Sequence, residues 1–546
     1  MKRATRYSPE AVLLPDMGLA LGLLAAIAII AAVGRRARLP DPIIFALGGL
    51  TLALVPTIPQ IALPPSLVLV VFLPPLIFAA AQDTSWAELR QDARPILLLA
   101  VGLVLTSMVA VAVVSHALAS ELSWAAAFTL GAIVAPPDAV AAKAIADTLH
   151  LPRRLVAILE GEGLVNDATA LVAFQVASGV AIAGAAFVPV LAAERVGYAA
   201  VAGVAIGAAV GWIGHHVLNR IGDAAVENTV LLLLPFAAFL PAEQVHASGV
   251  LAVLALAVYL SRFSVLGPAA ATRLQGRVLW DMINFLLTGL SFVLVGLQLR
   301  PAVQGLHDRR SGVLTAAAVC LTVILVRLAW VFGTAWLSHS VQRVLSEAVP
   351  SPRPRTPVLV VLSWAGMRGV VSLALALSLP HMTVDGRPFP GRDLIVFVTF
   401  LVVLVTLVGQ GLTLPVVIRR LGVGAVAGRV QDQELSAELR MARAALGRLD
   451  AIAGETRSSP EVVERVRGFY AERIEHLERR REARLSDAAA QALEAQLHEG
   501  AHHLLGCLFD IEHAELQRIR EGTELDTPVA RRIQSRLDLL RLRDGR

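Results

Sequence analysis

Along residues 17–421, apolar stretches of membrane-spanning length follow one another, separated by short polar or basic turns. They are centred near Ala25, Leu47, Leu73, Leu103, Ile133, Asp167, Ala205, Leu233, Leu254, Phe292, Leu325, Val370 and Val402. A helix needs about 20 apolar residues to cross a hydrocarbon core about 30 Å thick, and this pattern predicts thirteen such helices, the second, eighth and ninth of them short. After Leu421 the pattern changes. From GRVQDQELSAELRMARAALGRL onward, apolar residues recur at helical spacing, acidic and basic residues nearly balance, and no membrane-length run appears. GETRSSPE and REGTELDTPVAR read as breaks, and SPEVVERV and TPVARRIQ have the Ser/Thr-Pro start of a helix. The expectation is an all-α polytopic membrane protein with an N-terminal tail (1–16), a transmembrane domain (17–421) and a soluble helical C-terminal domain (422–546). That last domain reads either as a packing or dimerising appendage or as a regulatory one.

Composition sharpens this picture. The chain is 56% hydrophobic and 17% charged, with a mean hydropathy of +0.67, far above the balance of an ordinary soluble domain. Its net charge of +5 suits contact with anionic lipid, and nothing in the pattern points to nucleic acid. The two cysteines, Cys320 in a predicted membrane helix and Cys507 in the tail, cannot pair, and no metal-ligand spacing occurs. Arginines concentrate in alternate loops, from Arg35, Arg36 and Arg38 to Arg419 and Arg420. Basic loops resist translocation, so these loops and the C-terminal tail are expected in the cytoplasm of a cell (inner) membrane protein. Lys2, Arg3 and Arg6 pull the other way at the N-terminus. The first apolar segment has the look of a signal peptide, but GRRARLP follows it without a small-residue cleavage pattern, so it reads as a retained helix.

Against this background the stretch ILEGEGLVNDATALVAF, Ile158 to Phe174, places three carboxylates in an apolar run. An ionisable group at mid-bilayer costs about 2.5 to 3.5 kcal/mol even on lenient scales, so such groups mark functional sites by default. With Arg154 at the cytoplasmic boundary and about 1.5 Å rise per residue, Asp167 lies about 20 Å deep. Glu162 and Glu160 are shallower. At about 100° per residue Asp167 shares a face with Glu160, while Asn166 lies near the azimuth of Glu162.

The preceding segment, WAAAFTLGAIVAPPDAVAAKAIADTLH, supplies a partner. Pro136 and Pro137 bar a regular helix and free carbonyls deep in the membrane, and Asp138 follows at once. The hairpin turns at HLPRRL, with Asp138 about as far before it as Asp167 is beyond it. Antiparallel packing would bring both to one depth beside a broken helix, which outlines a cation site. The plainer alternative is a proline kink whose carboxylate caps the half-helix after it. In TPVLVVLSWAGMRGVVSLALALSLP, Arg368 stands mid-span and must pair; Glu162 is the candidate that leaves the aspartates free. Lys143, one of only two lysines, either snorkels to the surface and pairs with Asp147, or contacts Glu160 or Glu162 as a cytoplasmic-side gate.

Four of these segments carry a resemblance. EGEGLVNDATAL is similar to the EGESLxNDxxxL signature of bacterial sodium/proton antiporters in the monovalent cation:proton antiporter superfamily, in the Asn-Asp branch. APPDAVA looks like the Thr-Asp-Pro element of that family, SWAGMRGVVSLALAL its Gly-Leu-Arg-Gly helix, and TLVGQGLTLPVVIRRLG its last membrane helix. The resemblance implies that Asp167 and Asp138 bind the transported ion with Asn166 as their neighbour, that Glu162 is salt-bridged to Arg368, and that thirteen-helix protomers with an inverted repeat form a homodimer. It also implies a substrate, Na+ first with Li+ or K+ as the alternatives, exchanged for H+ in pH and cation homeostasis, with no cofactor. Three positions depart from the family pattern: Pro137 replaces its threonine, Gly163 a serine, and Ala79 a glutamate of some relatives. Fewer side-chain oxygens remain, which leaves backbone carbonyls and water to complete the shell.

A desolvated carboxylate holds either a proton or a cation near neutral pH, so competition at one site with alternating access would couple the two fluxes without ATP. Asn166 adds no titrating charge, which favours one-for-one, electroneutral exchange. An intramembrane aspartyl protease also needs two membrane aspartates, but the Gly-x-Gly-Asp pattern those enzymes show is absent. A cation channel or sensor could use the same carboxylates.

Overall fold

The computed structural model describes residues 10–36, 39–56, 67–83, 90–148, 151–183, 189–264, 270–306, 308–345, 356–423, 427–456 and 459–485. The first nine residues, Cys507, REGTELDTPVAR and TPVARRIQ lie outside them, as does the side chain of Asp147. Among the described residues the chain is helical almost throughout and has no β-strand, only an isolated bridge between Met382 and Pro388. It divides into two compact units, Met1–Ala427 and Gly428–Arg546.

In the first unit the helices are α1 (Glu10–Arg36), α2 (Asp41–Leu54), α3 (Leu73–Asp83), α4 (Ala93–Leu118), α5 (Trp124–Val134), α6 (Ala139–Thr148), α7 (Arg153–Ala183), α8 (Pro189–Leu218), α9 (Ala224–Gln244), α10 (Gly249–Ser264) and α11 (Ala270–Leu297). A short α12 (Leu299–Gln304) leads to α13 (Arg309–Leu345), α14 (Thr356–Trp364), α15 (Val370–Leu377) and α16 (Arg392–Leu421). All thirteen expected centres fall in helices. Seven of those helices are long and apolar enough to cross a bilayer by length and composition. The segment near Leu233, expected to be short, is a 21-residue helix with Pro235 and Pro241 inside it.

These helices sort into two sets that pack mainly among themselves. One comprises α1–α3 and α8–α11, the other α4–α7 and α13–α16. Apolar helices gain little hydrophobic energy by associating in lipid, so close packing of small residues matters. On α8, Gly203 and Gly207 let the backbone approach closely at Ser248, just before α10, and at Ala252 within it. In each half of the chain the middle member of three helices in the second set is broken: α5/α6 between α4 and α7, and α14/α15 between α13 and α16.

The second unit contains α17 (Ala427–Gly447) from its second residue onward, α18 (Leu449–Thr456) and α19 (Pro460–Leu485). Leu435, Leu439 and Ala442 form one face of α17 and pack on Leu477, Tyr470 and Ile474 of α19. As SPEVVERV predicts, α19 starts at Pro460, where a missing N–H costs nothing.

Candidate ion-binding site

The site is built where the two broken helices cross. Pro136 and Pro137 end α5 and leave Asp138 at the head of α6; in α14/α15 the run Ala365–Gly369 is the non-helical link. The links are joined by their backbones, since Asp138 N donates to Met367 O at 2.6 Å. Gly369 is required for this approach, because a Cβ there would overlap the Asp138 carboxylate.

Each half-helix end meets a charge of the sign its dipole favours. Arg368 is buried and donates through Nε to Val134 O, 3.1 Å away at the C-terminal end of α5, and through Nη1 to Gly366 O beyond α14. Its backbone N–H donates to Thr406 Oγ1 at 3.1 Å. Asp138 sits at the N-terminal end of α6, where Oδ1 accepts from Val140 N at 2.8 Å. The capping role is therefore real, and the residue also lines the cavity described below. Asn166 is fully buried and its Nδ2 donates to Pro137 O at 2.8 Å, so α7 is latched to the break in α5/α6.

The structure corrects the expected partner of Glu162. Arg368 does not bind it; Arg327 of α13 does, with Nη1 and Nη2 on the two carboxylate oxygens, the latter at 2.9 Å. Arg327 also donates to Leu362 O of α14, from Nε at 3.2 Å and Nη2 at 3.1 Å. The physical reason is economy of donors. Arg368 is held by carbonyls freed at the two breaks, while the planar fork of Arg327 matches a carboxylate bidentately. Arg327 was overlooked in the sequence although LTVILVRLAWVF offers the same signal as Arg368, a charge in the middle of a predicted span.

Between the two helix sets lies a cavity of ≈ 270 Å³ whose walls include Asp138 and Asp167. Antiparallel packing of α6 and α7 thus brings both aspartates to one space. Ala79, Pro137 and Gly163, the three departures from the family pattern, line it too. Lys143 and Glu160 stand on the same walls, and Lys143 Nζ lies 2.9 Å from Glu160 Oε1. So Asp167 and Glu160 do face one way, while Glu162 and Asn166 point into the protein.

Comparison with known proteins identifies the family and the fold. The model of the family described as "Sodium/hydrogen exchanger, transmembrane" matches residues 22–420. This chain belongs to the sodium/hydrogen exchanger family. An uncharacterised Na(+)/H(+) exchanger of Mycobacterium bovis is 37% identical over 466 residues, covering 84% of this chain and 85% of that one. The Na(+)/H(+) antiporter ApNhaP of Aphanothece halophytica is 32% identical, covering 78% of this chain and 77% of its own. A sodium, potassium, lithium and rubidium/H(+) antiporter of Bacillus subtilis is 32% identical over 69% of this chain and 58% of its own length. The solved sodium proton antiporter MjNhaP1 of Methanocaldococcus jannaschii shares the fold, with a TM-score of 0.58 at 18% identity, over 75% of this chain and 99% of that one. The exchanger is thus a multi-pass membrane protein that exchanges cations for protons, a transporter and not an enzyme, and the protease alternative falls with that.

Proposed function

We propose that this exchanger moves a monovalent cation, sodium first, against one proton by competition for Asp167 and Asp138, with Asn166 as their neighbour. The observation that carries the reading is that both aspartates line one cavity between two separately packed helix sets, beside the crossing of two broken helices. The pairing of Glu162 with Arg327 supports it, since that ion pair is internally neutral and leaves both aspartates for the ion. With Asn166 uncharged, a cation in one direction replaces a proton in the other and exchange is electroneutral.

Alternating access follows from relative movement of the two sets. The recurrence of a broken middle helix in each half supports an inverted repeat. Lys143 and Glu160 lie between the aspartates and the hairpin that carries Arg154, so the cavity runs towards the side where the basic loops place the cytoplasm, and the tail with them. A homodimer in the inner membrane, serving pH and cation homeostasis, completes the reading. Potassium is the second choice of ion, favoured by the absent hydroxyl at Pro137 and Gly163 and by the relative named for several alkali cations.

Proteoliposomes with each alkali cation added in turn, read by dequenching of a pH-sensitive dye, test this. Asp167→Asn keeps the shape and removes the titrating oxygen, so exchange should vanish with folding intact; Asp138→Asn should weaken cation binding severely. Cation-dependent proton flux near wild type in Asp167→Asn would sink the assignment.

A further inference from the structure

The two walls of the cavity come from different helix sets and differ in chemistry. Asp138 and Asp167 belong to the set with the broken helices; the facing wall includes α11, which contributes Asn284, Thr288 and Ser291. Steps of four and three residues keep these on one face of a helix, so their polar groups climb the wall over two turns, about 10 Å. The rest of that stretch, NFLLTGLS, is apolar.

Two of the three side chains in this stripe have an oxygen that is sealed and unused. Ser291 is 1% exposed. Among the described residues neither Ser291 Oγ nor Asn284 Oδ1 has a hydrogen-bond partner. Many helical hydroxyls elsewhere turn back to the carbonyl four residues earlier, among them Thr129 to Ala125, Thr169 to Val165, Ser178 to Phe174, Ser363 to Leu359 and Thr406 to Val402, whereas Ser107, Thr315 and Thr399 are buried like Ser291 without a partner but line no part of this cavity. Ser291 does not take that default. Buried polar atoms rarely go unmatched, so a chemical complement belongs here. An amide oxygen and hydroxyls facing two carboxylates across one cavity share a single complement, a cation in a shell of hard oxygens. In the same cavity Pro137 and Gly163 withhold oxygens from the wall of the aspartates, and Ala79 of α3 withholds one on the side of α11.

We propose that Asn284, Thr288 and Ser291 supply the second half of the cation's oxygen shell, directly or through its retained water, and that they set cation affinity and selectivity. This rests on the antiport reading. A bound cation then bridges the two helix sets, whereas a proton on an aspartate needs nothing from α11. The cation-loaded and proton-loaded forms are in this way distinguished by contacts across the moving boundary. Because none of the three side chains titrates, they act on cation binding and leave proton binding to the aspartates.

The test is the apparent Km for sodium, lithium and potassium in proteoliposomes of wild type, Asn284→Leu, Thr288→Val and Ser291→Ala, at a fixed alkaline pH. Loss of one oxygen contact should raise Km by about fivefold or more for at least one cation and change the order of the three ions. The steepness with which Km depends on pH should be retained. Thr288→Val and Ser291→Ala each remove one oxygen at nearly constant shape, so they decide the matter even if Asn284→Leu does not fold. Km values within about twofold of wild type and an unchanged ion order in these variants overturn the inference, as does a fall in rate alone. A wild-type protein without cation-coupled proton flux overturns the antiport reading instead, so the two failures are distinguishable.

Discussion

Arg327 stands at mid-span in α13 and Arg368 in the non-helical link between α14 and α15, and both are buried, yet they have opposite kinds of partner. Arg368 is satisfied by carbonyls, Arg327 by the Glu162 carboxylate and a carbonyl. Removing one member of a buried pair leaves an uncompensated charge, so Arg327→Met should destabilise the protein by about 3–5 kcal/mol. Thermal denaturation in detergent should show most of that loss recovered in the double variant Glu162→Gln/Arg327→Met, which leaves neither charge behind; no recovery would mean that the arginine acts through Leu362 O alone. Lys143 offers a second test at this scale. Its contact with Glu160 on the cavity wall is one that the gate requires, while the Asp147 side chain of the snorkelling alternative lies outside the described residues. Taking a positive charge from beside the carboxylates makes them hold protons more firmly, so Lys143→Ala should move the pH profile of exchange to higher pH, while Asp147→Ala should not. Overlapping profiles for Lys143→Ala and wild type would end the gate idea. The carboxylates were legible because charge in an apolar run stands out. Their partners were not, since the choice between two arginines depends on which helix packs where.

At the scale of the element, each broken helix has its own sequence cause. Pro136 and Pro137 prevent the first from continuing, while the second is interrupted at AGMRG, where Gly366 and Gly369 each let a side chain come close. At Gly366 the close neighbour is Arg327, and at Gly369 it is Asp138. Gly369→Ala should therefore push the crossing apart, costing about 1–3 kcal/mol in stability. It should also depress exchange more than the same substitution at Gly179, which meets nothing nearby. Equal effects at the two positions, compared in melting and in flux, would mean that the crossing tolerates displacement. The half-helix ends explain why the arrangement persists: the exposed carbonyls bind Arg368, and an exposed N–H at the head of α6 donates to the Asp138 carboxylate. The proline break could be read directly from the sequence. The glycine break could not, because glycine alone is compatible with an unbroken helix.

For the whole molecule, the decisive feature is that the carboxylates belong to one helix set and the facing polar stripe to another. A site shared between proton and cation makes a quantitative demand. Below the pH at which the site binds its proton, the apparent Km for sodium should rise about tenfold per pH unit with little change in maximum rate. A Km independent of pH in that range would indicate separate sites. Exchange of one positive charge for another should also be nearly indifferent to an imposed membrane voltage, and a clear voltage response in the same vesicles would exclude one-for-one exchange.

The sequence by itself determined what local physics controls. Span length set the apolar helices, proline set the first break, a helical period put Asp167 and Glu160 on one face and Asn166 with Glu162 on another, and the hairpin spacing aligned Asp138 with Asp167. Contacts between residues distant in the chain were decided only by tertiary structure. That Arg327 rather than Arg368 neutralises Glu162, that Arg368 fills the crossing of two broken helices, and that Asn284, Thr288 and Ser291 face the aspartates all depend on how α7, α11, α13 and α14 sit beside one another. In a membrane protein an apolar surface packs against lipid or protein with little difference in hydrophobic energy, so the helical pattern carries weak information about neighbours. Polar matching and close packing at small residues choose the partners, and both exist only once the helices have met.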